Sequence, residues 1–104
     1  MEGSYLNKTI SCEDNRELAM LILYEGGEQR QCWPISKGEI VLGREAECDV
    51  VLPDRQVSRR HAVIRQIAGE YIIQDCQSKN GTYINGRQCE GECVLQDGDE
   101  IQIA

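Results

Sequence analysis

A chain of 104 residues has material for one core and one domain. Its 18 acidic and 11 basic residues leave a formal charge of −7, which disfavours sequence-blind attachment to DNA or RNA backbones. No apolar run approaches the roughly 18 residues that a membrane helix needs, so neither nucleic acid nor membrane is an expected partner.

In chain order, residues 1–17, "MEGSYLNKTISCEDNRE", are polar and read as a loose arm. They lack the basic and apolar regions of a secretory signal, so an intracellular setting is expected. The next segment, "LAMLILY" at 18–24, leaves helix and strand both open. Leu, Ala and Met favour helices, Asp14 or Asn15 would cap a helix start, and Gly26 would end it. Beyond it the apolar runs are short: "EIVLG" 39–43, "DVVL" 49–52, "HAVIRQI" 61–67, "EYIIQD" 70–75, "TYI" 82–84, "ECVL" 92–95 and "EIQI" 100–103. Turn signals separate them, at Gly26-Gly27, Pro53-Asp54, Ala68-Gly69, Asn85-Gly86 and Asp97-Gly98. Strand-length runs at this spacing predict an all-β sandwich or barrel. Asn85-Gly86 predicts a two-residue hairpin, because both residues tolerate positive φ.

Six cysteines raise the question of disulfides or a metal. Without a secretory signal, reduced thiols are the expectation. There is no CxxC pair and only one histidine, so no metal or other cofactor is expected.

The charge is unevenly spread. Between Arg55 and Gly69 lie four arginines, Arg55, Arg59, Arg60 and Arg65, and no Asp or Glu. A cationic site on an acidic body suggests capture of a small anionic group. Ser58 and His61 invite comparison with a nucleophile and its base. On a strand, however, positions three apart face opposite ways, and no Gly-x-Ser-x-Gly elbow is present, so no enzyme is expected. Phosphate binding fits better. A phosphate dianion wants forked guanidinium donors, a hydroxyl and exposed backbone N–H groups. Arg44 follows a glycine at a strand end, Ser58 and Arg59 precede the next strand, and Lys79-Asn80-Gly81 occupies another loop. Spacing alone does not bring these loops together.

The pieces "GR" at 43–44, "SRRH" at 58–61, "SKNGT" at 78–82 and "NG" at 85–86 resemble the signature of the forkhead-associated (FHA) domain family. The intervening "ECDVVLPDRQ" and "YIIQDCQSKNGT" look like that family's connecting segments, and the resemblance runs from about Leu18 to Ala104. It implies an FHA-like β-sandwich of about eleven strands with binding loops at one end, and a strand rather than a helix at 18–24. The implied ligand is a phosphothreonine-containing protein or peptide, and the implied role a link to Ser/Thr kinase signalling. A domain of the same fold that assembles proteins independently of phosphate is the alternative.

Carried over by residue, the resemblance assigns Arg44, Ser58 and Arg59 to the phosphate and places Lys79 beside it. It assigns Asn80 to the peptide backbone after the phosphothreonine. Arg55 lies where an acidic residue three positions further along the peptide would be read. Gly43, permitting a tight turn, and His61, Gly81, Thr82, Asn85 and Gly86 are implied to be structural, while Arg60 and Arg65 read as solvated strand positions. The family usually adds a strand after the Asp-Gly-Asp-x-Ile segment, pairing with its first. This sequence ends at Ala104, so the expectation is either a sandwich cut short of its last strand or a polar arm that covers the edge left exposed.

Overall fold

In a computed structural model, which describes residues 8–14, 19–35 and 38–103, the chain forms two β-sheets packed face to face. The strands are β1 (Lys8–Asp14), β2 (Ala19–Glu25), β3 (Glu28–Pro34), β4 (Glu39–Gly43), β5 (Val50–Val51), β6 (Ala62–Ile67), β7 (Glu70–Asp75), β8 (Thr82–Ile84), β9 (Arg87–Gln88), β10 (Glu92–Leu95) and β11 (Asp99–Ile103). One sheet runs β3-β2-β1-β11-β8-β9 and the other β10-β7-β6-β4-β5. All neighbours are antiparallel except the short β4–β5 pair. The expected β-sandwich of about eleven strands is what the sequence forms.

Alternation builds the core, because side chains two apart on a strand share a face. Leu21 and Leu23 point inward from β2, Ile40 and Leu42 from β4, Ile64 from β6, Ile73 from β7, and Ile101 and Ile103 from β11. The segment at 18–24 therefore resolves as strand: its buried residues recur every second position, as a strand requires and a helix does not.

The turn signals close hairpins. Asn85 and Gly86, at φ 51° and 86°, join β8 to β9, while Ala68 and Gly69, at 53° and 82°, join β6 to β7. Paired positive φ values match the right-handed twist of the flanking strands.

The arm needs correction. Residues 8–14 are not loose but form β1, which inserts between β2 and β11. β1 pairs along its whole length with β2 and at Ile10, Ser11 and Cys12 with β11. It thus occupies the edge that the sequence left open beside β11. Ile10 and Cys12 are its buried contributions to the core. Residues 1–7 and 15–18 of the expected arm lie outside the described residues.

The thiols also need correction at one pair. Cys89 and Cys93 form a disulfide that ties the exit of β9 to β10. Cys12 and Cys48 are buried, and Cys32 and Cys76 are exposed.

Candidate functional site

β4 ends at Gly43, β6 begins at Ala62 beside it, and β7 ends at Asp75 beside Ala62. This register places the loops 44–49, 52–61 and 76–81 at one end of the sandwich. Convergence, which sequence spacing left open, follows from it.

Local chemistry fixes each loop. In the first, the Asp49 carboxylate accepts the Val41 N–H at 2.9 Å, folding the loop back on β4. In the second, Asp54 accepts the Gln56 N–H through its side chain and the Val57 N–H through its carbonyl, both at 2.9 Å. Such Asx turns explain the Pro53-Asp54 signal. Val57 then plugs into the core, 3% exposed, so that its neighbours Arg55, Gln56 and Arg59 face solvent.

The second loop is locked to the first through Arg59. Its carbonyl accepts N–H bonds from Arg44 at 3.1 Å and Glu45 at 3.3 Å, and the Cys48 thiol at 3.3 Å. Burial pushes the Cys48 thiol up, so it stays protonated and can donate. The role of Gly43 is corrected here. It has no positive φ; instead a Cβ would collide with the Arg59 carbonyl oxygen and stand 2.9 Å from Cys48 Sγ. Gly43 permits close approach of strand to loop rather than a tight turn.

His61 locks the second loop to the third. Its Nδ1 accepts the Ser58 N–H at 3.1 Å and its Nε2–H donates to the Gly81 carbonyl at 2.7 Å. Only the neutral imidazole with its hydrogen on Nε2 satisfies both bonds. The ring is fully buried and burial pushes its pKa below the usual 6.5, against the pull of the Gly81 carbonyl and Asp75. His61 meets Ser58 through the backbone, not through the hydroxyl, so it is not placed as a base for that hydroxyl. The chain has one histidine, so a histidine-type change in stability belongs to His61.

The unfolded chain takes up that proton below about 6.5, whereas the folded chain resists until its lower pKa. Stability is therefore expected to fall as pH drops from about 6.5 towards the folded value, and to be flat in this respect above it. Denaturant midpoints between about pH 7.5 and 5, with His61→Gln as comparison, check this. An equal slope in wild type and variant contradicts it.

Asp75, which the sequence did not single out, organises the third loop. It accepts the Ser78 hydroxyl at 2.5 Å, the Ser78 N–H at 2.9 Å and the Thr82 hydroxyl at 2.7 Å. Burial pushes its carboxyl up, but the donors from Ser78 and Thr82, together with nearby His61, outweigh that and hold it below its ordinary value. Gly81, at φ 90°, turns the chain into β8 and donates its N–H to Ser78 Oγ at 2.9 Å.

Above this scaffold lies an open depression of about 440 Å³, lined by Arg44, Arg55, Ser58, Arg59, Arg60 and Lys79 among others. Arg60, read from sequence as a solvated strand position, belongs here: it precedes β6 and lines the depression. Arg65 does lie on β6, 3.2 Å from Glu39 and 2.8 Å from Gln74.

Two polar groups at the rim are already half engaged. Ser58 Oγ accepts the Lys79 N–H at 2.9 Å, which leaves the hydroxyl hydrogen to donate outward. Asn80 Nδ2 donates to the Gln56 carbonyl at 2.8 Å and its Oε1 at 3.2 Å, which leaves Oδ1 as an acceptor. Gly43, His61, Gly81 and Thr82 lie beneath these groups. Asn85 and Gly86 lie apart, beyond β8, where Asn85 bonds Asp99 and the Glu100 N–H, each at 2.9 Å.

Comparison with known proteins gives a consistent result. The FHA domain profile matches residues 40–104. The oxoglutarate dehydrogenase inhibitor of Corynebacterium efficiens is 41% identical over 85 residues, covering 82% of this chain and 59% of that protein. The chain therefore spans about three-fifths of that relative's length. Among solved structures, Mycobacterium tuberculosis EmbR in complex with a low-affinity phosphopeptide superposes with a TM-score of 0.70 at 28% identity. That match covers 93% of this chain and 22% of EmbR. A structure from work on phosphothreonine-dependent FHA domain interactions gives 0.64 at 27% identity, covering 92% of this chain and 93% of that one.

Proposed function

The chain belongs to the FHA domain family, and from that premise we propose that it is a non-catalytic phosphothreonine-peptide recognition module. It works inside the cell, linking a larger protein or complex to Ser/Thr kinase signalling. The observation that carries this reading is the shared depression: Arg44, Ser58, Arg59 and Lys79, drawn from three loops, line one cavity on a chain of charge −7.

The roles follow from what each group still has to offer. Arg44 presents a guanidinium fork to two phosphate oxygens. The Ser58 hydroxyl donates to a third, since accepting the Lys79 N–H leaves its own hydrogen to give. Arg59 contributes side-chain or backbone N–H donors, while its carbonyl is turned inward onto Arg44, Glu45 and Cys48. Lys79 adds a point charge. Asn80 Oδ1 accepts a peptide N–H after the phosphothreonine, and Arg55 meets an acidic residue three positions on.

Phosphothreonine and phosphoserine present the same dianion and differ by one methyl. A bare cationic cluster barely senses that carbon, whereas a shaped pocket gains about 10–200-fold from it. A phosphothreonine peptide is expected to bind at least about tenfold tighter than its phosphoserine twin, at equal salt. Calorimetry on both peptides, with the unphosphorylated one as a third arm, decides the matter. Equal binding of the two phosphopeptides leaves only an anion-binding sandwich. Equal binding of the unphosphorylated peptide replaces recognition of phosphate with assembly independent of it.

A further inference from the structure

The depression carries more positive charge than one phosphate uses. Arg44, Arg55, Arg59, Arg60 and Lys79 all line it, and among the described residues no carboxylate lies within ion-pair distance of any of them. A phosphothreonine brings about −1.5 to −2. Arg44, Arg59 and Lys79, three positive charges, already more than offset it, and Arg55 faces the residue further along the peptide. Arg60 is left without an assigned partner.

Its position makes this informative. Arg60 directly precedes the buried His61 and is exposed, so its side chain runs outward from the loop. It lines the main depression and also a neighbouring one of about 190 Å³, whose other walls are Val41, Glu45, Glu47 and Cys48. The two glutamates form an acidic border beside it. An anion approaching Arg60 is repelled from the side of Glu45 and Glu47 and drawn from the side of Arg44 and Arg59. The favourable place for negative charge at Arg60 is thus inside the main depression, next to the phosphate.

We propose that the bound segment carries, besides the phosphothreonine and the acidic residue met by Arg55, a further anionic group, a carboxylate or a second phosphate, and that Arg60 receives it. This rests on the phosphothreonine reading given above. Arg60 then determines specificity, whereas the phosphothreonine contacts supply the common affinity.

The test is a coupling measurement on the whole chain. A phosphothreonine peptide with alanine at all flanking positions is compared with two series, measured at about 0.15 M salt. One places a single aspartate at each flanking position in turn, and the other a single phosphoserine. In the wild-type protein, one position other than the third after the phosphothreonine, which faces Arg55, is expected to gain about tenfold or more over the alanine peptide. In Arg60→Gln, checked as folded by circular dichroism, the gain at that position is expected to shrink below about threefold. Arg60→Lys is expected to recover much of it. The series that shows the gain tells carboxylate from phosphate.

A gain at that position undiminished in Arg60→Gln, or no gain in wild type at any position other than the third, overturns the inference. In each of these the phosphothreonine reading stands if the alanine peptide binds. Failure of wild type to bind any phosphothreonine peptide overturns both.

Discussion

Replacing Asp75 with alanine is expected to destabilise the domain by about 3 kcal/mol, a fall in Tm of roughly 12–24 °C for a chain of this size. The carboxylate accepts three hydrogen bonds, two from Ser78 and one from Thr82. Bonds to a charged acceptor contribute about 1.5–3 kcal/mol each, but three donors sharing one acceptor do not sum fully. Thr82 is the costly partner. Its side chain is completely buried, so losing Asp75 strands its hydroxyl away from water, at about 1–3 kcal/mol.

The loss should also reach the binding face. Ser78, held by Asp75, in turn accepts the Gly81 N–H, and the Gly81 carbonyl accepts the His61 Nε2–H. Lys79 and Asn80 ride on that loop. Well below its own transition, Asp75→Ala is therefore expected to bind phosphopeptide more weakly although it removes no group from the depression. Asp75→Asn, which keeps shape and one acceptor, should fall between. Thermal unfolding with calorimetry at a low temperature separates the two effects. A Tm within a few degrees of wild type would show that the loop is anchored elsewhere.

The network around Asp75 marks where sequence stops being legible. Arg44, Ser58 and Asn80 stand out because a phosphate site needs those functional groups and because turn residues surround them. Asp75 ends the strand "EYIIQD" like any solvated acid. Only the folded register shows that Thr82 and Ser78 close over it. Gly43 is similar: its constraint is Arg59, sixteen positions away, and no local signal announces a close approach. Arg60 was misplaced because reading its face required knowing that β6 begins at Ala62.

β1 was missed for a different reason. Ile10 and Cys12 are the positions it buries as apolar residues, set among Lys8, Thr9, Ser11, Glu13 and Asp14. Two apolar positions are too few for a periodic signal, and the strand is stabilised by ladders to β2 and β11 that the sequence does not display. The hairpins, by contrast, were plain, because an Asn-Gly or Gly-Gly step reports a backbone need confined to two residues. Local requirements are written locally; long-range ones are visible only once both partners are in place.

For binding itself, Arg44 is the residue whose loss should cost most. Its backbone N–H bonds the Ser58 and Arg59 carbonyls, so the loop geometry survives truncation of the side chain. The guanidinium is exposed, and among the described residues it has no ion-pair partner to leave behind. Arg44→Ala should thus leave Tm nearly unchanged. A charge-assisted bond is worth about 1.5–3 kcal/mol, against about 8 kcal/mol for a whole micromolar complex. Phosphopeptide affinity should therefore fall at least about tenfold. Ser58→Ala removes one neutral donor and should cost about 1 kcal/mol, together with the acceptor now used by the Lys79 N–H. The two losses should differ in character as well as size. The Arg44 contribution shrinks with added salt, whereas the hydroxyl's is nearly indifferent to it. Titration of both folded variants at low and high salt makes the comparison, and unchanged affinity in both would remove the phosphate from this end of the sandwich.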